Sequence, residues 1–187
     1  MSEHVEHKAD KAADQANDNK AVGKTSSGRA WKFAGDISSD QLISARHVFE
    51  FDPRMLRHHL LAEVRPEFAQ QAQPGDVIVA GRNFAHGSNH SHPFLAMKAL
   101  GVGLLVRSLS RGPFRLAVFM GIPLLMAGAE VLDAIDDGQQ IDIDFSAGTI
   151  HNVTTGKLMQ VEPLAPFLQD IINAGGGLEF ARTTLAT

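Results

Sequence analysis

The stretch Pro74-Gly75-Asp76-Val77-Ile78-Val79-Ala80-Gly81-Arg82-Asn83-Phe84-Ala85-His86-Gly87-Ser88-Asn89-His90-Ser91-His92-Pro93 decides the fold. Its first part, Asp76 to Ala80, is short, branched and apolar, and it is bounded by Pro74-Gly75 and Gly81, the signature of a buried strand. Ser91 or His92 then caps a helix with Pro93 in its first turn, and Phe94, Leu95, Met97 and Leu100 form its apolar face up to Gly101. Leu104-Leu105-Val106 reads as the next strand. Strand, loop, helix and strand make a βαβ unit whose two strands run parallel.

Further along, residues 112–119 are expected to form another helix, before a strand at residues 122–126. Ile141-Asp142-Ile143-Asp144-Phe145 alternates strictly, Gly148 turns the chain, and residues 150–153 and 158–161 alternate again around Thr155-Gly156. That pattern predicts a meander of antiparallel strands. A last helix is expected over residues 166–174, stopped by Gly175, Gly176 and Gly177. Upstream, residues 51–72 carry Met55, Leu56, Leu60, Leu61, Val64 and Phe68 at helical spacing, with Pro53 in the first turn and Pro66 as a break. The fold class is α/β, a mixed sheet with flanking helices.

Residues 1–29 hold five acidic and five basic side chains, and Val5 and Val22 are their only branched aliphatic residues. They read as a disordered polar tail, leaving residues 30–187 as one domain of roughly 155 foldable residues. Of the 187 residues, 44% are hydrophobic, enough for a core, and the net charge of −4 gives no electrostatic reason to expect a nucleic acid partner. No apolar run is long enough to span a membrane. With no apolar leader, and with Glu3, Glu6 and Asp10 unsuited to mitochondrial targeting, a cytoplasmic location is expected. The absence of cysteine excludes disulfides, a nucleophilic thiol, a Cys-bound zinc and an iron–sulfur cluster held by thiolates of this chain.

The densest group of reactive side chains is Asn83 to His92, between a buried strand and a helix N-terminus, where α/β proteins place ligand sites. Gly87 allows a tight turn or a close approach to a ligand, and Ser88 is the candidate for reactive chemistry. A plainer reading has Ser88, Asn89 and Ser91 satisfying turn and cap hydrogen bonds. His86, His90 and His92 lack the carboxylate or helical spacing of a zinc site, so no metal is expected on this chain. Asp40, in Gly35-Asp36-Ile37-Ser38-Ser39-Asp40-Gln41, either orients a catalytic group or belongs to a turn that caps a short helix. Thr155-Gly156-Lys157 lacks the upstream glycine of a phosphate loop, and the triplet Asn152-Val153-Thr154 has no meaning for glycosylation without a secretion signal.

Several blocks in order resemble the small subunit of 3-isopropylmalate dehydratase, the detached swivel domain of the aconitase superfamily: Gly35 to Arg46, Pro74 to Phe84, Ser108 to Leu124 and Asn152 to Lys157. The resemblance implies a swivelling β/β/α domain of the aconitase C-terminal type. It also implies a large-subunit partner in a heterodimer or heterotetramer, and a place in leucine biosynthesis. By the resemblance the partner is expected to carry a 4Fe-4S cluster that acts as Lewis acid on a small hydroxy-acid substrate. By the same resemblance Ser88 is the base that removes the proton alpha to a carboxylate, with Asp40 as the second catalytic residue. Asn83, Gly87, Asn89, His90 and Arg46 are then the substrate-binding set. The chain departs from the family motif at its loop, where the second serine is Asn89, the arginine His90 and the glutamate Ser91. A histidine replaces an arginine as a cation only when protonated. The alternative reading is therefore a catalytically altered or non-catalytic homologue that still binds the large subunit.

Overall fold

A computed structural model describes residues 25–186 of the chain. Strand β2 (Val77–Ala80) is buried at every residue, as its unbroken apolar run requires when both faces of a sheet are covered. It pairs in parallel with β3 (Gly103–Val106) on one side and with β1 (Thr25–Phe33) on the other, and β3 pairs in parallel with β4 (Leu124–Met126). The antiparallel meander consists of β5 (Gln140–Asp144), β6 (Thr149–Asn152) and β7 (Lys157–Gln160). It joins through β5 to β1, giving one seven-stranded sheet in the order β4-β3-β2-β1-β5-β6-β7.

Every crossover between the parallel strands is helical. It comprises α1 (Ser39–Leu42), α2 (Pro53–Leu56) and α3 (Pro66–Gln71) before β2, α4 (His92–Leu100) before β3, and α5 (Arg111–Met120) before β4. A short α6 (Ala129–Leu132) precedes the meander, and α7 (Pro166–Asn173) and α8 (Gly177–Leu185) end the described chain. One face of the sheet presents Trp31, Ile78, Leu104 and Leu124 to helix residues such as Leu56, Phe68, Met97 and Ala117. The opposite face presents Ala30, Val79 and Leu105 to Ile141, Ile143 and Ile150 of the curled meander. The layers are β/β/α, as expected.

Three elements differ from the sequence reading. Strand β1 begins at Thr25: Thr25 to Arg29 pair with β5, while Ala30 to Phe33 pair with β2. The stretch assigned to a tail thus contributes five residues to the central strand, and the remainder of that assignment, residues 1–24, lies outside the described residues. The helical spacing over residues 51–72 is real in its burial of Leu56, Leu60, Leu61 and Phe68, and a helix does start at Pro66, but the first helix already ends at Leu56, ahead of the expected break. Leu61 turns left-handed at φ 59° and donates its N–H to Leu42, so two short helices result. Lastly, the glycines after α7 do not end the structure: Gly176, at φ 118°, caps α8.

At the N-terminal end of β2 the carboxylate of Asp76, only 5% exposed, accepts three hydrogen bonds. They come from the Trp31 indole and the Arg29 backbone, each at 2.8 Å, and from the Gln73 backbone at 3.0 Å. Because β1, β2 and β3 are parallel, the segments 34–38, 81–91 and 107–110 gather at the opposite end, where the reactive loop lies.

Candidate functional site

The loop after β2 is pinned on both sides. Asp36 donates its N–H to the Arg82 carbonyl at 2.7 Å, Ser39 donates to the His86 carbonyl at 2.7 Å, and Phe84 and Asn83 reach Ser108 on the far side. Phe84 and Ala85 are buried plugs beneath it. Asp36, Asn83 and Ala85 sit at φ of 59°, 53° and 61°, and Gly87 at 100°. Three of the four left-handed non-glycine residues among those described are therefore here, each costing of order 1 kcal/mol. Strain of this kind survives only where surrounding bonds impose it, and it concentrates at functional sites.

Anchoring ends at His86, whose Nε2 lies 3.1 Å from the Asp36 carbonyl. Gly87, Ser88 and Asn89 are exposed, and the side chains of Ser88, Asn89 and Ser91 hydrogen-bond to nothing among the described residues. Turn and cap hydrogen bonding, the plainer reading of these three, is thus not what their side chains do. In the α1 segment the plainer reading does hold: Ser38 caps α1 through Gln41 in a reciprocal capping box.

The structure brings Asp40 and His90 together, with Oδ1 and Nε2 3.8 Å apart, too long for a hydrogen bond. Burial, reinforced by the neighbouring His92, pushes the His90 imidazole below its ordinary pKa, so at neutral pH it is uncharged despite Asp40. His92, weighed from the sequence only as a helix cap and as one of three histidines unsuited to a zinc site, is 5% exposed with neither ring nitrogen hydrogen-bonded, packed between His90 (5.3 Å) and Phe51 (4.9 Å). The Asn83 amide donates to Asp36 at 2.7 Å and, helped by Arg82 at 3.5 Å, holds that carboxyl below its usual value. Arg46 is not brought to the loop; it pairs with Glu63 at 2.9 Å and touches Ser44. No three metal-ligating side chains converge among the described residues.

The loop is thus an open rim. An apolar strap beside it exposes Phe49 (90%), Phe51 (63%) and Met55 (51%), and Phe51 ties that strap to His92. Asn152, by contrast, is fully buried, donating to Ala134 and Gln139, which removes the glycosylation triplet on geometric grounds as well. Among the described residues no helix is long and apolar enough to cross a membrane.

No protein-family model matches this sequence. The 3-isopropylmalate dehydratase small subunit of Nautilia profundicola is 41% identical over 161 residues, covering 84% of this chain and 95% of that protein. That of Thermodesulfovibrio yellowstonii is 36% identical over 160 residues, covering 85% and 95%. Among solved structures, a 3-isopropylmalate dehydratase from Methanocaldococcus jannaschii superposes with a TM-score of 0.81 at 29% identity, over 87% of this chain and 96% of that one. With fold, block order and relatives in agreement, the chain belongs to the 3-isopropylmalate dehydratase small subunit family.

Proposed function

We propose that this chain is the small subunit of a cytoplasmic hydro-lyase that dehydrates and rehydrates a hydroxy-polycarboxylic acid of the 3-isopropylmalate type. A large subunit completes the site. The observation that carries this reading is the bare tip Gly87-Ser88-Asn89 on a strained, anchored base: an exposed hydroxyl with no hydrogen-bond partner among the described residues.

In this reading Ser88 gives its hydroxyl proton to a neutral acceptor such as His90 and, as the alkoxide, takes the proton alpha to a carboxylate. The electrons of that C–H bond form the double bond as hydroxide leaves the neighbouring carbon, and Asp40 beside His90 orients the imidazole. His90, being neutral, offers a hydrogen bond or accepts a proton and does not act as a fixed cation. Asn83 positions the loop through Asp36. The chain has no cysteine and so cannot hold a cluster by thiolates. A 4Fe-4S cluster on the large subunit would supply the Lewis acid that makes hydroxide a viable leaving group. The exposed strap from Phe49 to Met55 and the polar rim fit a surface over which that subunit closes.

The test is reconstitution of the purified chain with its large subunit and 3-isopropylmalate, followed by absorbance of the unsaturated product. Turnover is expected only with both chains present, along with slower hydrogen exchange over residues 82–92. Tight association without turnover on any hydroxy-dicarboxylate would instead favour the non-catalytic reading, which the uncharged His90 makes a specific competitor.

A further inference from the structure

A polycarboxylate substrate needs a permanent cation, and residues 83–92 contain no lysine or arginine. Of the arginines on the neighbouring segments, some are already committed and others are not. Arg82 faces Asp36 at 3.5 Å, and Arg46 faces Glu63 at 2.9 Å. Arg107, Arg111 and Arg115 are exposed and make no ion pair or side-chain hydrogen bond among the described residues.

Of these three, Arg111 is placed by its neighbour. It is the first residue of α5, and next to it Gly112 lies so close to Asn89 that a Cβ there would stand 2.1 Å from the Asn89 Oδ1. The first turn of α5 therefore abuts the residue after Ser88. That turn contains no acidic side chain, so no carboxylate of its own helix turn competes for the guanidinium. A guanidinium keeps its charge at any working pH and grips a carboxylate with two parallel hydrogen bonds, which a neutral imidazole cannot do.

Resting on the function proposed above, we infer that Arg111 is a substrate-binding residue that holds a carboxylate of the hydroxy acid, supplying the permanent cation that residues 83–92 lack. Gly112, which has no Cβ, leaves room for Asn89 at that junction.

The experiment uses the reconstituted two-subunit enzyme and 3-isopropylmalate, measuring turnover and, by calorimetry, equilibrium binding. Arg111→Gln should raise KM and Kd at least about tenfold with kcat within about twofold of wild type, Arg111→Lys should recover part of the loss, and Arg115→Gln should change nothing. Unchanged KM and Kd in Arg111→Gln, or a loss that appears in Arg107→Gln instead, overturns the assignment and leaves the proposed function standing. A wild-type complex that neither binds nor converts 3-isopropylmalate removes both.

Discussion

At the N-terminal end of β2 the buried Asp76 carboxylate receives an indole and two backbone N–H groups; at the C-terminal end of the same strand, the exposed side chains of Ser88 and Asn89 and the buried ring of His92 make no hydrogen bond among the described residues. The two ends share one sheet and one register, so the contrast does not come from the scaffold. It comes from what each end is for. Saturated hydrogen bonding fixes the junction of the parallel and antiparallel halves, where Arg29 and Arg65 also stack on Trp31 at 3.9 and 4.7 Å. Unsatisfied groups held on a strained base remain available to a molecule arriving from outside.

The largest expected effect is at the saturated end. Asp76→Ala leaves the Trp31 indole and two backbone donors buried without an acceptor, and urea unfolding should show a loss of about 3 kcal/mol or more. A loss under about 1 kcal/mol would erase the contrast. Gly28→Ala tests the same junction sterically: its Cβ would stand 2.6 Å from the Gly75 carbonyl and 2.7 Å from Asp76 Oδ1, and a loss of about 1–3 kcal/mol is expected.

The next effect is a pH dependence. His90 is held below its ordinary pKa by burial and by His92, and His47 by burial and by the ring of His59 stacked 3.8 Å away. The unfolded chain takes up these protons below the ordinary value of 6.5 while the fold resists them, so stability is unaffected above that pH and falls as pH drops below it. The slope should not exceed about 1.4 kcal/mol per pH unit for each histidine, and His90→Asn should flatten it. A midpoint that rises on acidification from pH 7 to pH 5.5 would contradict this. Smallest of all, Asn89→Ala should leave stability within about 0.5 kcal/mol, since its side chain makes no hydrogen bond.

The βαβ unit was legible because glycine and proline punctuate it: Pro74-Gly75, Gly81, Pro93 and Gly101 all fall at element ends. Strand β1 was not, because its buried positions Ser26, Gly28 and Ala30 are small or polar, a consequence of neighbours pressing close rather than of exposure. The same cause hid α8, whose glycines permit contact with Gly121 and Phe119 rather than ending the chain. At the site, the cluster from Asn83 to His92 was legible as chemistry. The lowered pKa of His90 and the approach of Gly112 to Asn89 were not, since burial and contacts between distant segments set them.

The most direct test of the claim that the unsatisfied end is the working end is Ser88→Ala in the reconstituted enzyme, with turnover and thermal midpoint measured on the same preparation. Loss of a general base should lower kcat at least about 100-fold with the midpoint unchanged; full turnover would contradict the account.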